Sequence, residues 1–218
     1  MNIKFHLGDD ILLKYAAGTL DEGSSLLVAT HLALCPHCRA RNGAADALGG
    51  VLLDSLEAAP ISTSTMDAVL ARLRDEPQVP ESSAPAAIST NPVIPDPLRS
   101  YLGGDLESLH WRMVAPRVHQ VQIETADHRS KARLLRFHSG LTVPTHGHNG
   151  RELTLVLTGS LCDRDTVLRR GDIAETDERT EHQPHAGPGE DCVCLAVTDA
   201  PLRFKGIFAR LLQPMFGI

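Results

Sequence analysis

Aromatic side chains are scarce in this 218-residue chain, 4% of the total, although the apolar share of 42% still suffices for packed cores. Long apolar runs are missing too: no window approaches the roughly 18 apolar residues of a membrane span, so no membrane association is expected. At the start, MNIKFHLGDDILLKY, Asp9 and Asp10 fall where a secretory leader requires an unbroken apolar core. The expected location is the cytoplasm. A basic excess is also absent, with 21 Lys and Arg against 27 Asp and Glu and a net charge of −6. Phosphate neutralisation needs the opposite balance, so no direct nucleic-acid contact is expected.

What the chain does have is cysteine and histidine in patterned groups. The five cysteines fall as a CxxC at Cys35 and Cys38, a CxC at Cys192 and Cys194, and Cys162 alone, beside eleven histidines. In a reducing compartment a CxxC close to histidine reads as a metal site before it reads as a disulfide.

Composition divides the chain into three. Residues 1–76 carry helical patterns: one opened by Asp9-Asp10 and closed by Gly18, one from Asp21 to Pro36, one from Pro36 to about Leu56, and one over 62–75. The last places Met66, Val69, Leu70 and Leu73 along one face. A module this small struggles to bury a core, and a structural metal would supply what the core lacks. Residues 77–97 hold six of the fourteen prolines and read as an extended linker. From 98 to 218 the pattern turns to strands, at 111–115, 118–125, 132–138, 152–157, 172–175 and 192–197, separated by glycine turns. Many short strands in about a hundred residues indicate a barrel or sandwich. The tail 206–218 shows a helical apolar stripe. The fold class is therefore α + β multidomain.

His31, Cys35 and Cys38 form HxxxCxxC. On a helix, residues four and then three apart share a face, so the three side chains converge. Two thiolates and an imidazole match the preference of zinc for tetrahedral N/S coordination. A fourth ligand must come from elsewhere: His6, which would staple the first helix to the second, or His37, which as the neighbour of Cys38 points away. The set His6, His31, Cys35 and Cys38, with the stretch THLALCPHCR at 30–39, resembles the ligand set of zinc-binding anti-sigma factors. That resemblance covers the first third of the chain. It implies a helical domain that wraps an extracytoplasmic-function (ECF) type sigma factor, bound by residues 1–76. The local charge agrees, because six Lys and Arg face ten Asp and Glu there, a balance of −4, and an acidic domain is steered towards a basic DNA-binding partner.

A second constellation follows. Gly140, His146, His148, Glu152 and Gly159 carry the spacing of the first cupin motif, and Gly171 with His182 that of the second. His146 and His148, two apart on a strand, face the same side, and Glu152 returns from the next strand. Where the second motif has Pro, Gly and Asn this chain has Asp177, Arg179 and Ala186, which leaves His185 as the alternative to His182. Three histidines and a carboxylate suit a divalent metal, zinc first, with iron, manganese or nickel also compatible. Cys192 and Cys194 share a face: turned inward they are oxidisable thiols near the metal, turned outward they are inert small apolar residues.

Together the two halves, including the run CVCLAVTDAPLRFKG, resemble ChrR-type anti-sigma factors, in which a zinc domain precedes a jelly-roll-like cupin β-barrel. The resemblance implies a negative regulator of transcription rather than an enzyme. It would sequester a sigma factor and release it when singlet oxygen or a related oxidative stress acts through the cupin domain. The rival from another class is a cupin dioxygenase or isomerase with a zinc-stabilised docking module. A zinc-finger DNA binder is disfavoured by the acidic first third.

Overall fold

The computed structural model describes residues 2–75 and 93–204. Four helices open the chain: α1 (Asp9–Ala16), α2 (Glu22–Leu34), α3 (Pro36–Asp54) and α4 (Thr63–Asp75). Asp21 caps α2 by accepting from the Ser24 amide. At Cys35 the backbone turns extended, and Pro36 at the first position of α3 fixes the break. HxxxCxxC therefore spans a helix–helix corner, not one continuous helix. A short helix α5 (Asp96–Leu102) begins inside the stretch read as linker, and Ile94 and Leu98 beside it are fully buried. Of that stretch, 77–92 lies outside the described residues, as does the stripe at 206–218.

Twelve strands follow: β1 (Arg112–Ala115), β2 (Val118–Ile123), β3 (Lys131–Phe137), β4 (His146–His148), β5 (Glu152–Thr158), β6 (Ser160–Asp163), β7 (Thr166–Arg169), β8 (Ile173–Thr176), β9 (Glu181–His182), β10 (His185–Ala186), β11 (Cys192–Thr198) and β12 (Leu202–Phe204). The six strands expected from alternation are present within a residue or two, and His146 and His148 lie on a strand as their spacing implied. The remaining ones, β6, β7, β9, β10 and β12, were not foreseen, because runs of two to four residues seldom carry a readable period.

The strands form a six-stranded sheet β1-β2-β3-β11-β5-β8 and two three-stranded sheets, β10-β6-β7 and β12-β4-β9. The fold is cupin-like, but among the described residues the sheets do not close into the continuous barrel the sequence implied. Pro144 and Pro184, which offer no amide to a ladder, lie where the small sheets would have to join.

The large sheet is covered on both faces, so β11 is buried along its whole length. Val193, Leu195 and Val197 face the helices and share a core with Ile11, Leu27 and Val28. Cys192 and Cys194 point to the opposite side, into a second cluster with Phe137, Val156 and Leu161. Helix α2 lies directly on the sheet, so closely that a methyl group on Gly23 would stand 2.5 Å from Ser130 Oγ and 3.2 Å from Val197. Only glycine permits that approach. Its N-terminal end is fastened as well: the Glu22 carboxylate accepts from Tyr101 Oη and the Ala126 and Asp127 amides, and Ser130 Oγ bonds Asp21.

Candidate metal centres

The first centre gathers four side chains from three places in the chain. His6 comes from the extended segment before α1, His31 from the last turn of α2, Cys35 from the corner and Cys38 from the first turn of α3. His6 Nδ1 stands 3.4 Å from Cys35 Sγ and 3.6 Å from Cys38 Sγ. Tetrahedral zinc with ordinary Zn–S and Zn–N lengths sets such S···N separations at about 3.6 Å.

The protonation pattern fits a cation. His31 is fully buried, and its Nδ1 lies 2.9 Å from the Gly171 carbonyl, which can only accept. The ring proton is therefore on Nδ1, and Nε2 is left buried with a bare lone pair and no partner. Burial holds this ring neutral, pushing it down to about 4. Burial and the neighbouring Cys35 push the Cys38 thiol up, against a hydrogen bond from the Leu7 amide. Two thiolates this close need a bound positive charge to persist together. His37 lies outside the group, its ring tilted against that of His6 at 4.6 Å.

The sheet domain supports this centre through residues that spacing did not reveal. Asp172 is buried, and its Oδ1 accepts from the amides of Lys4 (2.7 Å) and Phe5 (3.0 Å) while Oδ2 accepts from Arg169 N (2.8 Å). Ile173 N donates to Phe5 O at 3.2 Å. The segment that presents His6 is thereby laid against the start of β8, and Gly171 orients His31.

The second centre sits between the small and large sheets. β4 pairs with β9 so that His146 faces His182 directly, and His148 follows on the same side. His146 Nδ1 donates to Pro144 O at 2.9 Å, and His182 Nδ1 bonds Asp163 Oδ2 at 3.0 Å. Their Nε2 atoms stand 3.1 Å apart, with His148 Nε2 3.2 Å from that of His182. Nitrogens gathered this closely are satisfied by a shared proton or by a shared metal cation. Ligand nitrogens on one transition metal stand about 2.9–3.3 Å apart for right-angled to tetrahedral geometry. Burial holds His146 and His148 neutral, each near 4.

Glu152 stands beside this group. Its carboxylate accepts from Thr154 Oγ1 at 3.0 Å and lies 3.8 Å from His148 Nδ1, and burial raises it to about 7. His185, on β10, pairs with Cys162 of β6 and is not in the cluster. A cavity of 330 Å³ opens next to the histidines, walled mainly by apolar side chains such as Leu135, Phe137 and Leu161, with Arg133, Glu152 and Cys194 at its polar end. Cys194 thus looks inward, but a hydrogen bond with Cys192 and burial hold its thiol protonated, well above the usual range.

Each donor set can hold a metal ion. A helical His/Cys cluster seated on a cupin-like sheet with its own three-histidine cluster defines a protein with two candidate metal sites. Residues 101–201 match the family described as the ChrR cupin-like domain. Over all 218 residues, covering the whole of both chains, the protein is 45% identical to the anti-sigma-E factor ChrR of Cereibacter sphaeroides. It is also similar to the crystal structure of Rhodobacter sphaeroides SigE in complex with the anti-sigma ChrR, with 42% identity and a TM-score of 0.76 over 90% of this chain and 99% of that one. The chain belongs to the ChrR family of anti-sigma factors.

Proposed function

We propose that this protein sequesters an ECF-type sigma factor through its metal-loaded helical part and so represses transcription. The observation that carries this reading is an unburied apolar surface. Of the nineteen residues of α3 only Cys38 is buried, and α4 has no buried residue among those whose side chains are described. Leu48, Val51, Leu52 and Leu56 on and after α3, and Met66, Val69, Leu70 and Leu73 on α4, are all exposed. Contiguous exposed apolar faces on helices signal a partner surface. The relative that shares nearly the whole fold is a chain in complex with SigE.

In this reading His6, His31, Cys35 and Cys38 hold zinc, and His146, His148 and His182, with Glu152 as a candidate fourth ligand, hold a divalent metal, zinc first among the compatible ions. Zinc in the first centre would cross-link the N-terminal segment, α2 and α3, fixing the angle at which α3 leaves the body. Cys35 starts α3 and Cys38 forms its first turn, so the direction of the apolar stripe depends on these side chains. Functionally the chain divides as 1–76 for sigma binding, 77–97 as connection and 98–218 for response. Release under singlet oxygen or related oxidative stress rests on the oxidisable imidazoles of the second centre and the thiols beside it. No helix among the described residues is long and apolar enough to cross a membrane, and a sigma-factor partner supports a cytoplasmic location.

The test is direct. Purified chain mixed with an ECF-type sigma factor should elute as one complex and silence transcription from a promoter of that sigma factor. Separate elution with transcription intact would end the proposal.

A further inference from the structure

The His/Cys centre is not a property of the helical part alone. We infer that Gly171 and Asp172, at the turn before β8 in the sheet domain, are positioning residues of the N-terminal metal centre, so that metal binding there and docking of α2 on the sheet stabilise one another. The inference rests on the reading of His6, His31, Cys35 and Cys38 as metal ligands.

Three observations carry it. The Gly171 carbonyl is the acceptor that fixes His31 with its proton on Nδ1 and its bare Nε2 aimed at the centre. A ligating imidazole held this way is both oriented and made more basic. Asp172 grips the chain one residue before His6, through the Lys4 and Phe5 amides, and is itself fixed by Arg169 N. Two of the four ligands are thus aligned by adjacent residues more than 130 positions away in the chain. Gly171 can serve in this way because its φ of +88° turns the carbonyl towards α2, a conformation that other residues adopt only with strain.

The consequence is reciprocal. A metal that binds only the aligned ligands holds α2 and the N-terminal segment on the sheet, and a sheet that lets go of them loosens the metal. An event in the sheet domain thereby acquires a route to α3, through Gly171–His31 and Asp172–His6, without passing through the 77–97 connection.

Cobalt(II) reads this centre selectively, because thiolate-to-cobalt absorption arises at Cys35 and Cys38 and not at a histidine-only centre. Metal-free, reduced, full-length protein is titrated with Co²⁺ as wild type, Asp172→Ala and Asp172→Asn. Half-saturation of the thiolate band should need at least about tenfold more Co²⁺ in Asp172→Ala, the range typical of lost outer-sphere support. Asp172→Asn keeps an acceptor for the Lys4 and Phe5 amides and should fall between the two. Equal half-saturation in all three would overturn the inference. A wild type without any thiolate band would instead sink the metal reading on which it rests. A measurement on unaltered protein guards against a misfolded variant: removing metal from wild type should speed amide exchange in 2–8 and 169–175, and unchanged exchange there would equally overturn it.

Discussion

At the scale of single residues, the assignments rest on ring nitrogens gathered at one point. His31 Nε2 is buried without a partner because its other nitrogen is committed to Gly171, and His146 and His182 bring their Nε2 atoms within 3.1 Å of each other. Cys38→Ser should therefore remove zinc from the first centre and abolish sigma binding, measured as metal content per chain and co-elution. His146→Ala acts in the other sheet layer, so it should leave sigma binding within about twofold while blunting release by singlet oxygen in a reporter assay. Loss of basal inhibition in that variant would contradict the division of roles. Both clusters were legible in the sequence because HxxxCxxC and HxH have regular spacing, although the first was read on one helix face and instead gathers at a corner between two helices. Gly171, Asp172 and Asp163 were not legible as supports. Their partners lie at His31, Lys4, Phe5 and His182, and contacts of that kind leave no mark on spacing. Glu152, read as a ligand, stands beside the three histidines with its carboxylate on Thr154 Oγ1 and 3.8 Å from His148 Nδ1.

Among the elements, α2 and the pair α3 and α4 have opposite characters. Helix α2 is buried against the sheet and tied at both ends, whereas α3 and α4 offer their apolar stripes to solvent. The sequence showed the stripe on α4 but not that it would be left uncovered. Amphipathic spacing marks an apolar face without saying which molecule covers it. Leu52→Asp with Val69→Asp should abolish the sigma complex and leave the melting temperature within about 2 °C, because both side chains are exposed in the free protein. Destabilisation comparable to a core substitution would show that the stripe packs internally. The attachment of α2 carries a pH signature. Glu22 is held below its usual 4.5 by Tyr101 and the Ala126 amide. Burial raises Asp21, but hydrogen bonds from Ser130 and Ser24 outweigh it and bring it below 3.8. A depressed carboxyl adds stability that is complete above its unfolded value and is lost as pH falls through the lower folded one. Thermal stability should thus decline below about pH 4.5, and less steeply in Glu22→Gln. Identical slopes in both proteins would rule out this contact as a source.

For the whole molecule, two layers of chemistry share one sheet. One face of β11 packs on α2 beneath the His/Cys centre, and the other lines the cavity beside the three histidines. The sequence conveyed both halves and their order, since helical and strand periods differ plainly. It did not convey that Leu27 and Val28 would share a core with Leu195 and Val197. A helix and a strand separated by a proline-rich stretch give no sign of being packed together. The sheets also stop short of the closed barrel expected, because the strands near Pro144 and Pro184 are too short to complete a ladder. The central claim, a sigma-binding surface whose orientation depends on bound zinc, is tested most directly by measuring the affinity of the full-length chain for an ECF-type sigma factor before and after zinc removal. The account predicts tight one-to-one binding that falls by at least about tenfold on chelation and returns when zinc is restored. Undiminished binding by the zinc-free protein would contradict it.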